Sequence, residues 1–288
     1  MTIFKTRSQI TSIAAGTCHS LALKADGTVI CWGDNSMGQC LPPAALRDVA
    51  GIAAGTFHSV AVRSNGTVVL WGYNRTDRTD LALGLTNVVA IAAAFPQTVA
   101  LRLDGTISVW RQDTLSPVPI PANLSNAVAV ACGGGHYLAL HSNGTVFAWG
   151  DNTFGETAVP AALSSVKAVA AGEVHSVALL SNGTVAAWGD DSYGEVSNVP
   201  QVSNIVSIAA GGLHCLALLS DGTVLAWGCD KDGESTVPGG LRGVIAIAAG
   251  NRHSLALRDD GTIVGWGNNS HGQTTVPHLK PMGSNRSN

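Results

Sequence analysis

The sequence predicts an all-β chain that closes on itself as a seven-bladed β-propeller, and three observations predict it. All seven tryptophans, Trp32, Trp71, Trp110, Trp149, Trp188, Trp227 and Trp266, stand 39 residues apart. A Gly-Thr pair keeps the same register at Gly27, Gly66, Gly105, Gly144, Gly183, Gly222 and Gly261. A histidine slot runs through His19, His58, His136, His175, His214 and His253, with Gln97 in the third copy. A fixed period of this size marks repeat units that bury a core only by packing on their neighbours. The copies cover about 10–48, 49–87, 88–126, 127–165, 166–204, 205–243 and 244–282 without insertion or deletion, so residues 1–288 read as one propeller domain.

Each copy reads roughly V-x-A-I-A-A-G-x-x-H-S-L-A-L-x-x-D/N-G-T-V-x-A-W-G-D-N-x-x-G-E/Q-x-x-V-P. The V-x-A-I-A and H-S-V-A-L runs are short, apolar and bounded by turn residues, which is the pattern of strands. Asp26-Gly27 or Asn65-Gly66 between two such runs is a hairpin signal, because both turn residues must accept positive φ. A third strand follows in T-V-x-A-W-G, and a weak fourth is expected near Thr275-Val276-Pro277. That makes about four short antiparallel strands per copy. Near-identical copies without atypical caps favour a closed ring over a solenoid, since closure removes exposed sheet edges. Residues 2–9 align with 275–282, and Ile3 to Lys5 are expected to help close the ring against the seventh copy.

Strand order assigns the loops to faces. If the first strand runs up, the loop before the histidine and the loop after Trp-Gly both lie on top, and the Asp/Asn-Gly turn lies at the bottom. The bottom turns barely vary between copies, whereas the top loops vary strongly. Variable loops on a rigid scaffold are where binding usually resides.

Composition excludes several partners. Net charge is −3 and no basic run exists, so binding to nucleic-acid phosphates is not expected. Lys5, Arg7, Ser8 and Gln9 leave no apolar stretch for a signal peptide near the start, and no apolar run reaches membrane-spanning length. Cys18, Cys31, Cys40, Cys132, Cys215 and Cys229 form no CxxC pair and occupy slots filled elsewhere by ordinary residues. They read as six unpaired thiols, with Cys18 and Cys229 the pair nearest to an exception. Reduced thiols point to a soluble protein of the cytoplasm, or a secreted one if a leader has been removed.

The runs A-A-G-x-x-H-S-L-A-L, D-G-T-V and W-G-D-N-x-x-G-Q resemble the regulator of chromosome condensation repeat family, in all seven copies. The compact copies, and the Q-T-T-V-P run from Gln273 to Pro277, are most similar to bacterial members such as the type II β-lactamase inhibitor propellers. That resemblance implies a seven-bladed propeller, and a protein partner gripped by residues preceding the histidine slot. Inhibitor-like members place aromatics there; here only Phe57 and Phe95 are aromatic, so β-lactamase inhibition is not carried over. Chromatin binding is not carried over either, because the basic surface it needs is missing.

Residues that recur in every copy read as structural: the histidines, the tryptophans, and Glu156, Glu195 and Glu234, whose slot also accepts Gln39 and Gln273. Departures from the template are more informative. Copy two carries Tyr73, Arg75, Asp77 and Arg78 where others have D-N-x-x-G-Q. Copy three has Ala94 for glycine, Gln97 for histidine and Arg111 for glycine, followed by Asp113 and a proline-rich stretch. With Phe57 and Phe95 these residues form the expected partner-binding set: Phe57, Tyr73, Arg75, Asp77, Arg78, Phe95, Arg111 and Asp113. Aromatic and arginine side chains are enriched at binding hot spots. The reading is therefore a monomeric binding propeller for a protein or peptide, inhibitor-like in its use of that face, with no cofactor, metal or catalytic residues assigned. The alternative is a small-molecule tailoring enzyme of secondary metabolism with its site at the top mouth; no pair of residues has a spacing that certifies one.

Overall fold

The computed structural model describes residues 10–73, 85–94, 96–111, 118–122 and 124–277. Among them, the strands fall into seven three-stranded antiparallel sheets, one per copy. In copy one these are β1 (Ile10–Ala15), β2 (His19–Lys24) and β3 (Val29–Gly33), hydrogen-bonded in that order. The pattern repeats through to the last copy, with β19 (Val244–Ala249), β20 (His253–Arg258) and β21 (Ile263–Gly267). Thr275–Pro277, expected as a weak fourth strand, has no strand conformation. The Thr275 N–H turns back to the Gly272 carbonyl at 3.0 Å, and Pro277 has no N–H to offer a ladder.

The middle strand of each blade is buried at five consecutive positions, because both of its faces meet a neighbouring blade. The core is accordingly divided into packets between blades. Leu21 and Leu23 of copy one pack with Ala54, Ala61 and Trp71 of copy two. Ile10, Ile13, Ala22 and Trp32 of copy one pack with Ala248, Leu255 and Leu257 of copy seven, so the ring is closed. Each fully buried leucine contributes about 1.5–3 kcal/mol. Ile3 to Lys5, expected to assist this closure, lie outside the described residues.

The bottom turns are locked locally. The Thr28 N–H and Oγ1 donate to Asp26 Oδ1 at 3.0 and 2.6 Å, around Gly27 at φ +77°. The Gly27 carbonyl accepts the Val49 N–H at 3.2 Å, which ties the turn to the first strand of the next copy.

A recurring clasp joins adjacent blades. His19 Nε2 lies 3.0 Å from Ser59 Oγ, and Ser59 Oγ donates to the Gln39 carbonyl at 2.8 Å. The same carbonyl accepts Trp71 Nε1–H at 2.8 Å. Because the serine spends its one proton on that carbonyl, it accepts from the histidine, which fixes the Nε2–H tautomer. Glu156 and Glu234 carbonyls receive Ser176 with Trp188, and Ser254 with Trp266, in the same way. The structural reading of the histidines therefore holds: all six are 0% exposed.

Copy three departs from this clasp in a coordinated manner. In the other copies a Cβ on the glycine before the histidine loop would strike the ring, as at Gly16, where it would lie 2.6 Å from His19 Cε1 and run into the Gly55 carbonyl. Copy three carries Ala94, and its histidine is Gln97, so no ring is there to strike. Gln97 Nε2 donates instead to the Gly134 carbonyl at 3.1 Å. Across the joint, Tyr137 replaces the usual serine and stacks on Trp149 at 5.2 Å. Three substitutions thus form one repacked interface.

One expectation is overturned. Cys31 and Cys40 form a disulfide with Cα atoms 5.0 Å apart, whereas Cys18, Cys132, Cys215 and Cys229 are free. The cause is a fixed neighbourhood inside each copy. The outer strand and the chain returning from the top loop lie side by side; in copy seven, a Cβ on Gly265 would stand 3.0 Å from Thr274 Cβ at the same two slots. Pairing needs no coincidence once both slots hold cysteine. One premise of the cytoplasmic expectation, six reduced thiols, goes with it. No helix among the described residues is long and apolar enough to cross a membrane.

Candidate binding face

Among the described residues, two loops meet on one face in six of the copies, as strand order requires. The residue after Trp-Gly donates its N–H to the carbonyl of the residue before the histidine: Asp34 to Cys18 at 2.8 Å, Tyr73 to Phe57 at 2.7 Å, Asp151 to Gly135 at 3.0 Å.

The outer loop has a backbone built to hold one variable tip. In copy four, Thr153 N–H and Oγ1 donate to Asp151 Oδ1 at 3.0 and 2.7 Å, and the buried Glu156 carboxylate accepts the Phe154 N–H at 2.8 Å. In the same buried slot the side-chain oxygens of Gln39, Glu195, Glu234 and Gln273 accept the backbone N–H of Met37, Tyr193, Asp232 and His271 respectively, at 2.7–2.9 Å. The tip side chain takes no part in this bonding. Met37, Phe154 and Tyr193 project into solvent at 46%, 54% and 38% exposure. Lys231 Nζ is drawn over the Tyr193 ring, 4.5 Å from its centroid and 2.7 Å from its hydroxyl. Arg252 pairs with Asp232 at 3.3 Å.

Inside this rim, the Ala-Gly positions of the blades enclose an axial cavity of about 550 Å³, with Thr17, Thr56, Pro96, Arg111, Glu173 and Asn251 at its wall. Backbone bonds circle it: Asn251 N–H to Gly16 O at 3.1 Å, Thr17 to Gly55 at 3.3 Å, Glu173 to Gly212 at 3.0 Å. Cys132 also lines the cavity, and burial pushes its thiol up to about 12, so it is protonated at neutral pH.

The electrostatics separate buried from exposed groups. Burial drives the histidines down, His58, His214 and His253 to about 3 and His19, His136 and His175 to about 4, so all are neutral at pH 7. Asp151 is held below the usual carboxylate range by the Thr153 hydroxyl and N–H, and Asp191 by the Ser197 and Val196 N–H groups. Those two carboxylates stay ionised at neutral pH.

Of the expected binding residues, Phe57, Tyr73 and Arg111 are described. Phe57 and Tyr73 come together on the face, edge to face with centroids 6.2 Å apart. Arg111 turns instead to the axial cavity. Arg75, Asp77, Arg78, Phe95 and Asp113 lie outside the described residues. The tip residues Met37, Phe154 and Tyr193 were not singled out from sequence. Their signal was legible: in five copies one slot in D-N-x-x-G-E/Q changes from Met to Phe, Tyr, Asp and His while the glycine after it stays constant.

Comparison with known structures gives the same architecture. The ectodomain of the Arabidopsis thaliana receptor kinase ACR4 superposes with a TM-score of 0.74 at 19% identity, over 90% of this chain and 96% of that one. Human WBSCR16 gives 0.70 at 18% identity, over 88% and 87%. Prp20p of Saccharomyces cerevisiae gives 0.54 at 25% identity, over 91% and 72%. No curated protein sequence matches the chain. The profile of the Regulator of chromosome condensation (RCC1) repeat matches residues 10–39, 49–76, 127–156, 166–195, 205–234 and 244–273, every copy except the repacked third. With most of its length accounted for by that repeat, the chain belongs to the RCC1 repeat family.

Proposed function

We propose that this propeller is an interaction module that engages a protein or peptide through the variable loops of its top face. The observation that carries the reading is the tip slot, where a buried Glu or Gln fixes the backbone and leaves Met37, Phe154 or Tyr193 free to contact a partner. Anchors held in place before binding lose little conformational freedom on association. Phe57 and Tyr73 extend the same face into copy two. Relatives in fold support it: Prp20p is described by its binding to Gsp1p and histones, and yeast RCC1 has been solved bound by Kap60. The axial cavity is the feature that favours the alternative of a small-molecule enzyme. Among the described residues its ionisable lining is Arg111, Glu173 and Cys132, and burial pushes the Cys132 thiol up.

The test is site-specific photo-crosslinking in cells, with the crosslinker at 73, 154 and 193 on the top and at 65, 143 and 182 in the bottom turns. One partner captured from the top positions alone supports the reading. Capture of that partner from the bottom turns alone would sink it. Tyr73→Ala or Phe154→Ala should then cost about 2 kcal/mol of affinity.

A further inference from the structure

The buried slot beneath the outer loop makes a second bond besides the one to the tip. In copy one Gln39 Nε2 donates to Asp34 Oδ2 at 2.8 Å, and in copy seven Gln273 Nε2 donates to Asn268 Oδ1 at 2.9 Å. The slot thus ties the residue after the loop glycine to the residue after Trp-Gly, and the tie needs one proton. In copy six the roles are exchanged, and the Cys229 thiol bonds to the Glu234 carboxylate. Copies four and five place two carboxylates at these positions. Copy four has Glu156 with Asp151 and then Asn152; copy five has Glu195 with Asp190 and then Asp191, one anion more.

Glu195 is fully buried. Its Oε2 accepts the Tyr193 N–H at 2.9 Å, while its Oε1 is buried with no hydrogen-bond partner. Asp190 already accepts from Ser192, the hydroxyl on Oδ1 at 2.8 Å and the N–H on Oδ2 at 3.3 Å. A buried acceptor without a donor is costly, and two neighbouring carboxylates resist ionising together. The charges that act on Glu195 are negative, those of Asp190 and Asp191. From copy six, Gly228 lies under its Cγ, Trp227 Nε1–H donates to its carbonyl at 2.9 Å, and the buried Cys215 thiol near it is neutral. His175, near Asp190, is lowered by burial to about 4 and is neutral at pH 7. Lys231 Nζ is held at the Tyr193 hydroxyl, 2.7 Å away. Burial, with Asp190 and Asp191, pushes the Glu195 carboxyl above the ordinary range.

We infer that Glu195 and Asp190 share one proton, carried on Glu195 Oε1 and donated to Asp190, and that the loop presenting Tyr193 is closed only while this proton is held. When the proton leaves to water, the tie is lost and a further anion stands beside Asp190 and Asp191. The raised folded value sets the sign: this stabilisation is present at acid pH and is lost as pH rises through the Glu195 value, opposite in direction to the buried histidines. The inference rests on the reading of the top face for its use, and makes the presentation of one anchor depend on pH.

The experiment is an NMR titration of the whole protein without a partner. The chain has only four glutamates, Glu156, Glu173, Glu195 and Glu234, and three tyrosines, Tyr73, Tyr137 and Tyr193, so labelled glutamate carboxyls and tyrosine amides give few signals. Glu195→Gln identifies the Glu195 signal and installs the residue that copies one and seven carry in that slot; Tyr193→Phe identifies the amide. The Glu195 signal should titrate above the ordinary glutamate value of about 4.3. The Tyr193 amide should follow the same curve and should lose that transition in Glu195→Gln. Asp190→Asn, for which Asn268 is the precedent, should lower the Glu195 midpoint by about one pH unit or more. A midpoint at or below the ordinary value, or one that Asp190→Asn leaves in place, would overturn the shared proton. A Tyr193 amide indifferent to the Glu195 titration would overturn the link to the tip. Failure of the crosslinking test would leave these curves unchanged, so the two readings fail separately.

Discussion

Ser20 Oγ lies 3.0 Å from His253 Nε2, across 233 residues of chain, and makes there the bond that Ser59 makes to His19. Ser20 also donates to the Gln273 carbonyl at 2.9 Å, beside Trp32 Nε1 at 2.8 Å. The seam of the ring is thus chemically one more interface between copies. Ser20→Ala would strand the buried His253 N–H, at a cost of about 1–3 kcal/mol in urea unfolding. Ser176→Ala, inside the ring, should cost about the same. A neutral Ser20→Ala beside a costly Ser176→Ala would show that the seam is held by something else.

The histidines should make stability fall on acidification. Their folded values of about 3 to 4 lie below the ordinary 6.5, so the unfolded chain binds protons that the folded ring refuses. The stabilisation is complete above about pH 6.5 and is lost as the pH falls toward 4. Each histidine withdraws up to about 1.4 kcal/mol per pH unit in that window. Urea midpoints measured from pH 8 to pH 5 should stay level at first and then drop steeply. A level profile throughout would mean that the rings are not buried neutral.

At the repacked joint, residues should be exchangeable only as a set. Gln97→His places a ring against the Ala94 methyl and the Tyr137 side chain, and should destabilise by about 1–3 kcal/mol through overpacking. Adding Ala94→Gly and Tyr137→Ser restores the pattern of the other copies and should recover most of that loss. Additive losses across the three changes would argue that the substitutions arose without regard to one another.

Thiol titration under denaturing, non-reducing conditions should find four free groups, and six after reduction. Finding six at the start, in protein purified without reductant, would dispose of the Cys31–Cys40 bond. The top loop of copy one should keep its shape on reduction, because Gln39, Asp34 and Asn35 hold it as the corresponding residues hold the loops that lack a disulfide.

The blade count, the hairpins and the two faces were legible because a repeat averages away local ambiguity: seven copies of Trp-Gly and Asp/Asn-Gly leave little choice of period. The slots for His, Ser, Trp and Gln were equally visible, yet not the fact that they bond to one another across blades. Periodicity fixes which residues are equivalent and is silent about which slots touch. That silence concealed the Cys31–Cys40 pair, and it hid the mutual fit of Ala94, Gln97 and Tyr137. The binding reading from sequence followed departures from the template, which led to Phe57 and Tyr73 but passed over Phe154 and Tyr193, where the template itself supplies the variable position.

The buried Glu or Gln beneath the outer loops of copies one, four, five, six and seven has a consequence for how such a protein changes over time. Because the backbone N–H of the tip is satisfied from below, the turn forms around different side chains, and Met, Phe, Tyr, Asp and His have all been accepted. Mutations at these positions leave the hydrogen bond that shapes the turn in place. A lineage can therefore rewrite its specificity one copy at a time without passing through an unstable intermediate.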